Sequence, residues 1–429
     1  MATRWVVLFL CCVIVRSEVQ SQNRLADWTI LDLSQSGLKH LKNYFVNSSF
    51  LEHVNLMGND LVEIESKAFK GLPHLVHLNL SHNKIPFGKF DFAYQSALEI
   101  LVLDHGFAYS NWENDNKIQL SRSIIFPKLK NLYLRGNHII NFILLSDVVA
   151  LSEVMPNIAH LYLSENSLSS LNFLDKIPQT LTHLYLDNNR ISHFGSSNKN
   201  NIKVLSIDKN GFTLLSDTKA INGGLCLKNF VKLEELSVSN SEISRISLHA
   251  FDDSQNLRYL NLSYNQISDF LNNTFISLKN LTTLDLDHNL LRVVPNICAL
   301  KKLQVLSLSS NKISFLSSSS FCGLPNLKKL ILSNNGLRTI GSDSFNSMFA
   351  LEKLDLSKNM LTALPQNWIP AKMNLQYLYV NDNKFVEFSN LSLDSAKNLK
   401  YVNIEHNQIK LIYIKSLKSL PENATLEMA

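Results

Sequence analysis

Cysteine is scarce in this 429-residue chain: five in all, two of which, Cys11 and Cys12, sit in an apolar N-terminal run. Without that run only Cys226, Cys298 and Cys322 remain, too few for a disulfide framework, so a packed core must hold the fold. Charge is sparse as well. Charged residues make up 18% of the chain against 45% hydrophobic, a balance that excludes a disordered polyelectrolyte. A formal net charge of +5 is small over this length and makes nucleic acid an unlikely partner. Long hydrophobic runs are missing from the interior. The best candidate, residues 139–151, is cut by Asn141, Ser146 and Asp147 and falls short of the roughly 20 residues a membrane-spanning helix needs. The C-terminal P-E-N-A-T-L-E-M-A offers no hydrophobic tail for a lipid anchor. No G-x-S-x-G, H-E-x-x-H, phosphate-binding G-x-x-x-x-G-K or paired-cysteine metal pattern occurs. The expectation is therefore a non-enzymatic protein that needs no cofactor and no metal.

The N-terminus reads M-A-T-R followed by W-V-V-L-F-L-C-C-V-I-V, one basic residue and then about eleven apolar ones. That is the layout of a secretory signal, too short to span a bilayer. Cleavage is expected after Ser17 or Ser21, giving a signal at residues 1–17 (or 1–21). Cleavage after Ser17 removes Arg4 and Arg16 and no acid, which lowers the net charge to +3. The mature chain is expected to be secreted, extracellular and without a membrane anchor.

The remaining sequence repeats. The template L-x-x-L-x-L-x-x-N-x-L fits L-E-H-V-N-L-M-G-N-D-L at Leu51, L-V-H-L-N-L-S-H-N-K-I at Leu75 and L-K-N-L-Y-L-R-G-N-H-I at Leu129. It fits again from Ile158, Leu181, Ile202, Leu257, Leu281, Leu303, Leu327, Leu351, Leu375 and Leu399. Weaker copies start at Trp28, at Leu98 with Gly106 in the Asn place, and at Leu233 with Ser241 there. Most are 24 residues apart, and from Leu303 to Leu399 the register is unbroken.

The template has a direct physical reading. Alternation in x-L-x-L-x makes a short strand with its leucines facing inward. Stacked turns place such strands in parallel, and one turn cannot bury its apolar face without its neighbours. The ninth-place Asn, as in Asn83 or Asn289, can donate to and accept from the backbone of adjacent turns. On the return path Phe69, Phe251, Phe275, Phe321 and Phe345 stand six residues before the next strand's first leucine, with Ile297, Ile369 and Leu393 in the same place elsewhere. This predicts a buried aromatic spine.

These repeats resemble the extracellular leucine-rich repeat family, and are similar to Toll-like receptor ectodomains and to secreted leucine-rich immune proteins of arthropods. The resemblance covers nearly the whole mature chain. It implies an α/β class fold, a leucine-rich repeat solenoid curved as a horseshoe. Its parallel β-sheet would line the concave face, with mostly loops and short helical turns on the convex face. The organisation expected is an atypical capping turn at 22–50, repeats at 51–422 and an incomplete last turn at 423–429. The cysteine-bearing end caps common on such ectodomains are missing. Longer turns after Leu98, Leu129 and Ile202 should project as loops, including F-A-Y-S-N-W-E-N-D-N-K and S-D-T-K-A-I-N-G-G-L-C.

Function in such a scaffold comes from exposed repeat positions and usually means binding a protein. The third and fifth template places of three consecutive turns give Asn131, Tyr133, His160, Tyr162, His183 and Tyr185, a flat aromatic strip flanked by imidazoles. Tyrosine is enriched at binding hot spots, although it also suits an ordinary exposed strand. Tyr377, Tyr379 and Tyr401 make a smaller copy; with Leu420, Leu426 and Met428 beyond them, that end is a candidate partner or dimer edge. His53 with His77, and His82 with His105, form further columns, too flat for zinc but suited to a pH-dependent contact. Lys301, Lys302, Lys328, Lys329, Lys353 and Lys358 make a mild basic patch interrupted by Glu352 and Asp355, a weak feature for an acidic glycan. Cys298 and Cys322, in equivalent places of consecutive turns, are candidate disulfide partners, and Cys226 is left odd in a loop, with burial expected ahead of an intermolecular bond. Glycosylation sequons occur at Asn47, Asn79, Asn261, Asn272, Asn280, Asn390 and Asn423. Because L-x-L-S belongs to the repeat itself, some sequons are accidents of the template. The leading functional expectation is a secreted recognition protein binding a protein or a microbial or host ligand, with innate immunity implied by the resemblance alone. The alternatives are an extracellular adhesion or developmental protein, a truncated receptor ectodomain, and an enzyme inhibitor.

Overall fold

The computed structural model describes residues 29–87, 95–108, 116–120, 125–171, 173–218, 223–321, 323–410, 412–418 and 420–428. The expected signal segment and Trp28 lie outside these residues. The chain divides into two compact units, residues 1–191 and 192–429.

In the first unit the strands Ile30–Asp32, His53–Asn55, His77–Asn79, Ile100–Val102, Asn131–Tyr133, His160–Tyr162 and His183–Tyr185 pair in parallel, each with the next. In the second unit the same pattern runs from Val204–Ser206 and Glu235–Ser237 through Tyr259–Asn261, Thr283–Asp285, Val305–Ser307 and Lys329–Ile331. It continues with Lys353–Asp355, Tyr377–Tyr379, Tyr401–Asn403 and Thr425–Glu427. Nearly every strand is three residues long with its middle residue buried and its outer two at least partly exposed, as the template alternation requires. Behind the sheet, each turn stacks its first, fourth, sixth and eleventh residues on the next; Leu281, Leu284, Leu286 and Leu291 are all buried. Burying each such leucine contributes about 1.5–3 kcal/mol, so the stack is the main stabilising element.

One left-handed residue per turn lets the chain leave the strand. The residue before each ladder Asn has a left-handed backbone, whether it is Gly58, His82, Gly136, Lys209, Tyr264 or His288. That φ turns the ninth residue inward. Asn83 then donates from Nδ2 to the carbonyls of Leu56 at 3.1 Å and Leu80 at 2.8 Å, while its Oδ1 accepts from Leu61 N at 3.1 Å. Asn289 repeats the pattern on Leu262, Leu286 and Ile267. At the front, Asn59 reaches back to Leu33 O and accepts from Leu38 N, tying on a turn that has Ser36 in the ladder place.

The return side carries little helix among the described residues: one α turn at Ile414–Leu417 and short 3₁₀ turns such as Phe388–Leu391. The aromatic spine is present, with Phe251 and Phe275 centroids 6.0 Å apart and Phe321 and Phe345 6.1 Å apart. Ile297, Ile369 and Leu393 are buried as expected. The ring that continues the spine beyond Phe345, however, is that of Trp368, one residue before Ile369, at 5.6 Å in an edge-on arrangement. Its indole N–H, fully buried, donates to Leu391 O at 2.9 Å.

Two of the expected projecting loops also differ from the reading. Their ends are strands: Lys117–Leu120 pairs with Asn141–Leu144, and Leu214–Ser216 pairs with both Gly224–Cys226 and Arg245–Ile246. Apolar residues in the insertions (Ile118, Leu120, Leu215, Leu225) are buried, so these segments add flank sheets rather than leaving the surface. The middles of both insertions, residues 109–115 and 219–222, lie outside the described residues. Cys226 therefore sits in a strand, not a loop; it is buried and free, and burial raises its thiol pKa. Cys298 is disulfide-bonded, while Cys322 lies outside the described residues.

Candidate binding surface

Parallel strands lie about 4.8 Å apart, so like residues at one template place are brought within stacking distance. In register, Tyr133 faces Tyr162 and Tyr162 faces Tyr185, just as Asn131 faces His160 and His160 faces His183. The tyrosine centroids are 4.2 and 4.6 Å apart, with ring planes within 6° and 3° of parallel. This corrects the expected flat strip. Each ring covers its neighbour's face, and the row presents edges and phenol hydroxyls rather than an aromatic floor. Burial raises the Tyr162 phenol pKa, and a hydrogen bond with Tyr133 raises it further, so the central phenol keeps its proton.

The imidazole column beside it is tied in place. His160 Nδ1 bonds Asn131 Oδ1, His183 Nδ1 lies 2.8 Å from Thr182 Oγ1, and the two imidazoles meet edge-on at 4.2 Å. Burial lowers the His160 pKa, which keeps that ring uncharged at neutral pH. Around the tyrosines runs a charged rim: Arg135 pairs with Glu165, and Asp187 accepts from Ser164 Oγ at 3.1 Å. The sequence reading selected these six residues, and the structure brings all six together on one strand face of the first unit.

Other selected residues behave differently. His53 and His77 meet at 5.7 Å and His82 stacks on His105 at 5.0 Å, but among the described residues no three His, Cys, Asp or Glu side chains converge as a metal ion requires. Tyr379 and Tyr401 are tilted at 5.4 Å, and Lys353 Nζ lies over the Tyr379 ring at 4.4 Å. Tyr401 is not at an edge: its strand pairs with Thr425–Glu427, and its hydroxyl bonds Glu427. Tyr377 and Met428 are exposed, and Leu420 and Leu426 half-buried. Within the basic patch Lys301 Nζ donates to Gly323 O and Lys302 Nζ to Asn280 Oδ1, and these two, Lys328 and Lys358 are all exposed.

One group escaped the sequence reading. Asp285 and Asp287, at the fifth and seventh places of one turn, are both half-buried on the strand face of the second unit. Asp287 accepts from Ser309 N at 2.6 Å, yet burial and the neighbouring Asp285 push its carboxyl pKa up to about 6. The paired D-L-D at one strand end was the signal that could have revealed it.

The repeat geometry has a counterpart among known proteins. The leucine rich repeat model matches residues 27–85, 49–105, 231–291, 298–337 and 325–385, together more than half of the chain. The chain belongs to the leucine-rich repeat family. Comparison with curated protein sequences finds no match for this repeat protein. Among solved structures, it is similar to a leucine-rich repeat protein of Leptospira interrogans at 24% identity. That likeness covers 92% of this chain and 95% of the other with a TM-score of 0.56, and it speaks for the shared repeat fold alone. No helix among the described residues is long and apolar enough to cross a membrane.

Proposed function

We propose that this leucine-rich repeat chain is a secreted recognition protein that binds a protein partner through the row of Tyr133, Tyr162 and Tyr185 and the adjoining Asn131, His160 and His183. The carrying observation is the edge-on tyrosine stack: preordered and flanked by polar groups held by hydrogen bonds. Rings that are already stacked lose little entropy on binding, the condition under which tyrosine contributes most to an interface. The same stack disfavours a sugar here, because a pyranose needs an aromatic face and only the two end rings retain one. The signal-like N-terminus supports secretion, and an innate-immune setting rests on the likeness to extracellular repeat proteins.

The test is affinity capture from extracellular fluid by the purified chain, compared with Tyr162→Ala/Tyr185→Ala and with Tyr264→Ala, an exposed tyrosine of the second unit. The expected outcome is at least a tenfold loss of the captured partner by the double variant and none by the control. Equal capture by all three, with unchanged melting temperatures, would remove this surface from consideration.

A further inference from the structure

The seven sequons are not equivalent. At Asn79 and Asn261 the side-chain oxygen accepts the backbone N–H two residues on, from Ser81 and Ser263, each at 3.0 Å. Asp32, Asp285 and Asp355 close the same strand end in the same way, so these two asparagines are the amide version of a turn that recurs in the repeat. Asn280 is held between Lys302 and Gln255, and the Asn390 oxygen is shut in. Asn47, Asn272 and Asn423 are exposed.

Of these three, Asn272 also lines a cavity of about 420 Å³ in the second unit. Val293 and Phe315 line it and are 52% and 49% exposed. Pro295 and the disulfide-bonded Cys298 also line it, and Ser317, Ser319 and Asn296 supply polar groups. No lining residue is charged. A neutral groove with an aromatic wall and a hydroxyl-bearing edge matches a ligand that is itself neutral, apolar on one face and rich in hydroxyls on its rim, which is the chemistry of a pyranose.

We propose that Asn272 carries an N-linked glycan whose innermost sugars lie in this groove, with their apolar faces against Phe315 and Val293 and their hydroxyls toward the serines. The inference rests on the secretory reading above. In the transfer, Asn272 Nδ2 attacks the anomeric carbon of a lipid-pyrophosphate-linked oligosaccharide. A C–N bond forms, the C–O bond to the pyrophosphate breaks, the lipid pyrophosphate leaves with the bonding pair, and the amide proton passes to a base of the transferase. Thr274, the third sequon residue, is buried and donates from Oγ1 to Leu271 O at 2.7 Å, so attachment precedes closure of this turn.

The experiment expresses the full chain in secretory eukaryotic cells, maps sequon occupancy by glycopeptide mass spectrometry, and compares melting temperatures. Asn272 is expected to be occupied. Asn272→Gln is expected to lower the melting temperature by about 2 °C when Phe315 is present. In the Phe315→Ser background the same change should have no effect. Secretion with Asn47 glycosylated and Asn272 bare overturns the proposal, as does an equal shift in both backgrounds. A chain retained inside the cell with every sequon bare overturns the secretory reading and the proposal with it.

Discussion

At the scale of single residues, one place in the template is asked to do several jobs. The fifth-place side chain closes the strand end when it is Asp or Asn, and forms a surface column when it is Tyr. Asp287, two places on, shows what crowding costs. Its folded pKa of about 6 lies above the ordinary 3.8, so the folded state holds its proton more tightly than the unfolded one. Below about pH 4 the group is protonated in both states and contributes fully; stability then falls as pH rises to about 6 and is flat above. Asp287→Asn keeps an acceptor for Ser309 N and removes the charge. It is expected to stabilise the protein by about 1–2 kcal/mol at pH 7, after allowance for screening, and by nothing near pH 3.5. Urea denaturation at the two pH values checks this; an equal gain at both would show that charge is not the cause.

At the scale of elements, each turn is a three-residue strand, a left-handed step and an inward asparagine, followed by a return path of variable build. The strand and step were legible because Leu, Asn and the two-residue alternation recur in fixed places. The return path was less so. Phe251 and Phe275 could be aligned by their common offset, but Trp368 enters one residue early, out of that offset, while Ile369 keeps the expected place and is also buried. Trp368→Ala removes a fully buried indole and orphans Leu391 O; it is expected to cost about 3–5 kcal/mol. Trp368→Phe retains a ring against Phe345 and should cost less, the remainder reflecting the unpaired carbonyl and lost volume. Thermal melts of the two variants make the comparison, and equal losses would mean that the ring packing contributes nothing.

At the scale of the whole molecule, stability is close to a sum over turns and their nearest neighbours. The ladder asparagines are the polar part of that coupling. Asn289→Ala takes one of two asparagine donors from each of the Leu262 and Leu286 carbonyls, which keep Asn265 and Asn311, and leaves the Ile267 N–H without its acceptor; it is expected to cost roughly 1–3 kcal/mol. Hydrogen exchange should quicken in the turns that hold those residues, while the strand Lys353–Asp355 and those after it keep their protection. Loss of protection throughout the second unit would instead indicate one all-or-none block.

Fold family, strand register, the inward asparagines and the six residues of the tyrosine surface were determined by the sequence itself. All of them follow from a period, and a period is visible along one dimension. Tertiary structure alone decided how those residues present themselves. Whether Tyr133, Tyr162 and Tyr185 offer faces or edges depends on the spacing between strands. Whether a long insertion becomes a loop or a second sheet depends on the neighbouring flank it can pair with. Which sequon asparagine is free depends on the backbone groups of adjacent turns, since the same Asn-x-Ser/Thr closes a strand end at Asn261 and stands open beside a groove at Asn272.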